Sequence, residues 1–130
     1  MVDTMAPSHL MSSTHEPVPA AATRIRRRLR LLLTAWDVRA ETVDDALLVV
    51  EELVANVLDY ARSPFDVVVR AADGILFVAV RDGSRRSPHV QPFDPHAVRG
   101  RGLQLVASLS RRWGCEQHAY GKTVWAELPA

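Results

Sequence analysis

One stretch constrains the chain more than any other. Between Thr42 and Arg62 the residues Val43, Ala46, Leu47, Val50, Val54, Val57 and Ala61 recur three or four apart, forming one continuous apolar stripe. A helix with such a stripe must bury it against a second layer, so the chain has to build that layer from what flanks it. The spacing predicts a helix from Thr42 to about Arg62, with Thr42 as its N-cap, Asp45 three residues on in a capping-box arrangement, and Asp44 near the positive end of the dipole. Ser63-Pro64 stops the pattern.

The flanking segments supply the partners. From Ala20 to Trp36, Ile25, Leu29, Leu32, Leu33 and Trp36 recur at helical spacing, while Arg24, Arg26, Arg27, Arg28 and Arg30 fill the other side, giving an amphipathic basic helix. Phe65 to Ala71 and Ile75 to Arg81 are β-branched runs separated by Ala72-Asp73-Gly74, an antiparallel hairpin. Residues 82 to about 100 carry glycines, prolines and arginines without a hydrophobic repeat, and a loop of that length in a small domain is usually functional. A third helix begins near Gly102, and strands over Gly114 to His118 and Thr123 to Leu128 close the chain around Tyr120-Gly121. This order predicts an α+β fold, a two-layer sandwich of a mixed, mostly antiparallel sheet with helices on one face.

At 130 residues one core is expected. It is placed at 18–130, behind a mobile tail at 1–17 rich in Ser, Thr, Pro and Met. A formal charge of +1 excludes a whole-protein field that would drive nucleic-acid or membrane binding. The arginines of 24–30 read as the solvated side of their helix, because no aromatic residues interleave them for base stacking. Cys115 is a lone cysteine, and no Cys/His spacing resembles a zinc site. No segment approaches the roughly 20 apolar residues of a membrane span, so a cytoplasmic protein is expected.

Several residues could carry chemistry. Glu52 and Asn56 stand one turn apart on the polar side of the main helix. Asn is a poor choice in a helix interior, and Leu48 and Val49 lie on or beside the same face, which suggests that something covers it. A carboxylate and an amide oxygen so placed suit a proton acceptor and a hard-cation ligand. Gly100-Arg101-Gly102-Leu103, where a long loop enters a helix, suits close backbone approach to a phosphate. Asp82-Gly83 ends a strand and serves either as a turn or as a carboxylate facing the polar edge of a base. Gly121-Lys122-Thr123 is no P-loop, since Glu116 stands where another glycine is needed and a strand follows. His89, His96 and His118 form no nucleophilic set with a serine.

In order, Glu52-Leu53-Val54-Ala55-Asn56, Asp82-Gly83, Gly100 to Val106, Trp113-Gly114 and Gly121 to Leu128 resemble one family over about Ala20 to Leu128. They are similar to the anti-sigma regulatory serine kinases with a histidine-kinase-type ATPase domain, in their short single-domain form. The resemblance implies a Bergerat-type sandwich that binds ATP and Mg²⁺, with Asn56 as metal ligand and Glu52 as catalytic base. Asp82 would accept the adenine amino group, Gly83 would follow it, Gly100, Arg101, Gly102 and Leu103 would lie at the phosphates, and Thr123 near the adenine. It implies a protein serine/threonine kinase acting in transcription regulation. Its partners would be an anti-anti-sigma protein of STAS type and a sigma factor, without direct nucleic-acid contact and with homodimers as a form the family adopts. Where the wider superfamily reads Asp-x-Gly-x-Gly, this chain has Asp82-Gly83-Ser84-Arg85-Arg86. That departure leaves open a catalytically silent module that acts by sequestering its partner.

Overall fold

A computed structural model describes residues 8–84 and 102–130. Their elements run β1 (His9–His15), α1 (Pro19–Ala35), α2 (Ala40–Asn56), a π-helical turn (Val57–Ala61), β2 (Phe65–Ala72), β3 (Ile75–Asp82), α3 (Gly102–Leu109), β4 (Arg112–His118) and β5 (Gly121–Pro129). The strands form a five-stranded sheet in the order β1-β2-β3-β5-β4, and every neighbouring pair is antiparallel. The expected two-layer α/β architecture is therefore present, with the sheet wholly antiparallel among the described residues.

Period-two burial shows which face of the sheet is covered. Phe65, Val67, Val69 and Ala71 of β2, Leu76, Val78 and Val80 of β3, and Val124, Ala126 and Leu128 of β5 are all buried in one core with the helices. On the opposite face Phe77 and Trp125 stack at 6.2 Å, and Arg70 and Arg112 lie over those two rings at 5.4 and 5.7 Å. Cation–π contacts of this kind shield aromatic surface on the sheet face opposite the described helices.

α2 is the central helix, packed against α1, α3 and the sheet. Its buried set is wider than one stripe: Thr42, Val43, Ala46, Leu47, Val49, Val50, Leu53 and Val54. Val49 is fully enclosed, while Leu48 stays 42% exposed. The covering that Val49 suggested is thus provided by the protein itself, where α3 places Leu103 and Val106 in the same core. Thr42 is not the cap. The helix starts two residues earlier, Arg39 stands at the N-cap position without a side-chain cap bond, and the buried Thr42 hydroxyl donates to the Pro129 carbonyl at 2.7 Å. Local sequence favoured a cap; a tertiary bond to the last strand took the hydroxyl instead.

The expected hairpin is present, closed by Asp73 and Gly74 with φ of 54° and 76°, the left-handed pair that a two-residue turn between twisted strands requires.

The mobile tail expected at 1–17 is corrected over His9–His15, which pairs along its length with β2. Only Met11 of this strand is buried, so its side chains show almost no apolar alternation. Backbone pairing to β2 holds it, together with the His9 ring stacked on Trp36 at 5.0 Å and the His15 ring 5.5 Å from Phe65. Desolvation, and then the charges of Arg24 and Arg28, lower the pKa of His15 below its ordinary 6.5, opposed by Asp66. The unfolded chain therefore takes up this proton first. The contribution of His15 to stability is present above pH 6.5 and is lost as pH falls from there toward the folded value, below which it levels off. Melting curves over this range should show a smaller fall in Tm for His15→Asn than for the wild type; equal slopes would dismiss His15 as the source.

Candidate functional site

Two of the candidate residues lie on α2, which packs against both α3 and β3. Glu52 and Asn56 lie on the last full turns of α2, both half-buried, and the helix then widens into the π-helical turn Val57–Ala61. Such turns insert one residue without breaking the helix and often mark functional positions. Arg62, in the left-handed conformation, ends it.

Glu52 meets α3 at its first residue. A Cβ at Gly102 would stand 2.7 Å from Glu52 Oε2, so glycine is what lets the carboxylate lie against the helix start, where free N–H groups favour negative charge. One turn further on, Asn56 Nδ2 is buried with no hydrogen-bond partner among the described residues. Buried amides are nearly always bonded, and an orphan of this kind points to a group that joins it. Among the described residues no three His, Cys, Asp or Glu side chains converge on a metal position.

Asp82 forms the second half of the site. It is 5% exposed, at the last position of β3, and its Oδ1 accepts the Ser84 N–H at 2.7 Å. Gly83 N–H donates to Ser63 Oγ at 2.8 Å, which ties this loop to the segment following the π-helical turn. Asp82 also faces a cation: Lys122 Nζ lies 2.9 Å from Oδ2 and 3.1 Å from Oδ1. An ion pair this enclosed, its side chains 7% and 3% exposed, is costly to break by removing one partner, because the other charge is left uncompensated.

Lys122 was missed from sequence. Thr123 was expected beside the adenine, but the register pairs Asp82 with Lys122 and Arg81 with Thr123. Thr123 consequently faces the open side of the sheet, its hydroxyl 2.8 Å from His118 Nε2. The signal was available: Lys122 shares the alternation of Val124, Ala126 and Leu128, all buried. Of the remaining candidates, Leu103 is buried in the core. Gly100 and Arg101 lie outside the described residues, as does most of the long loop.

The candidate residues thus lie on a central helix, at a helix start and at a strand end. The chain belongs to the histidine kinase-like ATPase domain family, whose model matches residues 16–128. No curated protein matches it in sequence. Among solved structures it is similar to the RsbU and RsbW domains of Rv1364c from Mycobacterium tuberculosis, at 21% identity and a TM-score of 0.73, covering 95% of this chain and 33% of that one. The chain thus spans about a third of that protein's length, and the likeness is one of fold. It also matches the histidine kinase domain of a blue-light activated histidine kinase from Erythrobacter litoralis EL346, at 23% identity and a TM-score of 0.49, covering 89% of this chain and 63% of that one. No described helix is long and apolar enough to cross a membrane.

Proposed function

We propose that the chain binds Mg-ATP and acts as an anti-sigma factor and protein serine/threonine kinase, phosphorylating a serine on an STAS-type anti-anti-sigma partner and sequestering a sigma factor when that partner is not engaged. The observation that carries this reading is the convergence of Glu52, the orphaned Asn56 amide and the glycine start of α3 within one family-defined site. The likeness of the fold to an RsbW domain is in line with it.

The residues fit the nucleotide and its cation. Asn56 would offer an amide oxygen, a hard donor suited to Mg²⁺, and its nitrogen would find an acceptor. Gly102 and the first N–H groups of α3 would approach the phosphates. Asp82 would accept from an amino group on the base. Bound Mg²⁺ supplies charge neutralisation across the phosphates. Glu52 would take the proton of the attacking serine hydroxyl.

A second reading, a silent sequestering module, is favoured by Ser84 and Arg86 standing where the wider superfamily has glycines. Affinity capture of partners with and without ATP, followed by phosphosite mapping, separates the two.

The site itself is tested by titrating the protein with Mg-ATP and following tryptophan fluorescence and Tm. The wild type should gain stability by mass action, about 2.7 kcal/mol at a hundredfold excess over Kd, and Asn56→Ala should lose most of that gain. No shift in the wild type, or the same shift in the variant, removes the ATP site from the proposal.

A further inference from the structure

The Asp82–Lys122 pair adds a property to the nucleotide site that its family resemblance does not assign. Both residues sit on the covered face of the sheet, directly opposite each other at the ends of their strands, and both are buried. A carboxylate has about four acceptor positions and an ammonium has three donors. Lys122 reaches both oxygens of Asp82 and Ser84 N–H takes a further place on Oδ1. Among the described residues this leaves one acceptor position on Asp82, held in a fixed direction by partners on both sides.

We infer that Lys122 is a positioning residue for base selection: it keeps Asp82 charged and oriented as an acceptor only, so that the site takes a purine with an exocyclic amino group and rejects one with an oxo group at the same position. The inference rests on the nucleotide reading above. An acceptor-only carboxylate bonds an amino group and repels a carbonyl oxygen, whereas a protonated carboxyl accommodates either. Among the described residues Lys122 is the cation against this carboxylate, and a buried charge deprived of its partner is neutralised by taking up a proton.

Among the described residues the surroundings supply no substitute. β2 places the apolar Phe65 opposite Asp82, the segment after the π-helical turn presents the hydroxyl of Ser63 to Gly83, and β4 brings Cys115. Burial raises the pKa of that thiol, and the fields of Lys122 and Asp82 act on it in opposite directions. None of these is a cation.

The test compares Kd for Mg-ATP and for Mg-inosine triphosphate, whose base carries the oxo group, by tryptophan fluorescence at about pH 6, 7 and 8. The wild type should favour ATP by roughly tenfold or more, the scale of a charge-assisted hydrogen bond exchanged for a repulsion, with a ratio that does not change with pH. In Lys122→Met the ratio should fall toward one at the acid end and widen again as pH rises. Should that variant not fold, Asp82→Asn/Lys122→Met removes both charges together and should bind the two nucleotides alike at every pH, because an amide presents either a donor or an acceptor. A wild-type ratio retained in Lys122→Met at all three pH values, or in the double variant, overturns the role of Lys122 while leaving the ATP site standing. Failure of the wild type to bind either nucleotide overturns both.

Discussion

Gly121→Ala is expected to lose about 3 kcal/mol of stability, the upper end of the usual overpacking cost, and to lower Tm by about 10 °C or more. The reason is a collision. A Cβ at Gly121 would run into the carbonyl oxygen of Asp82, and would stand 2.9 Å from the Asp82 carbonyl carbon and 3.0 Å from Gly83 Cα. These are backbone atoms at the end of a paired strand and cannot swing aside as a side-chain terminus would. Relief requires β3 and β5 to separate where Asp82 and Lys122 meet, so the variant should also lose Mg-ATP binding in excess of its lost stability. Gly74→Ala provides the contrast. Gly74 has a φ of +76° with nothing within 4 Å of the added carbon, so only the conformational penalty of about 1–2 kcal/mol applies. Equal losses in the two variants would show that the collision is not what matters at Gly121.

The second large effect concerns turnover. If the chain is the kinase proposed above, Glu52→Gln should bind Mg-ATP within about threefold of the wild type, yet transfer phosphate to a captured partner roughly 10²- to 10⁴-fold more slowly, the usual contribution of a positioned general base. Gly102→Ala keeps the carboxylate and displaces it, because the new methyl group would stand 2.7 Å from Glu52 Oε2. It should slow transfer as well, through geometry instead of charge. If Glu52 serves only the start of α3, Glu52→Gln will lower Tm and leave transfer intact. A wild type that binds Mg-ATP but transfers nothing selects the silent module.

Much of the site was legible before the structure because its parts are local. Glu52 and Asn56 follow from one helical period, and Asp82-Gly83 and Gly102 from the punctuation at element ends. The covering inferred from Val49 is present, but a helix wheel shows which residues share a face and cannot show what covers that face. In this chain α2 is flanked by α1 and α3, so its buried arc is wider than the single stripe. The Asn56 orphan and the contact of Glu52 with Gly102 lay beyond any reading of spacing, the second because it depends on where α3 lands.

By itself, the sequence determined the helices, the hairpin with its Asp73-Gly74 turn, and the order of elements that requires a two-layer sandwich. These follow from hydrophobic period and turn chemistry, which act over a few residues. Tertiary structure alone decided that the polar segment HLMSSTH becomes an edge strand, because backbone hydrogen bonds to β2 do not need an apolar alternation. It also decided that Thr42 reaches the final strand instead of capping its helix. The strand register settled that Lys122, and not Thr123, faces Asp82. A shift of one residue would exchange the two faces of β5, and the pairing of β3 with β5, distant in sequence, is what selects between them.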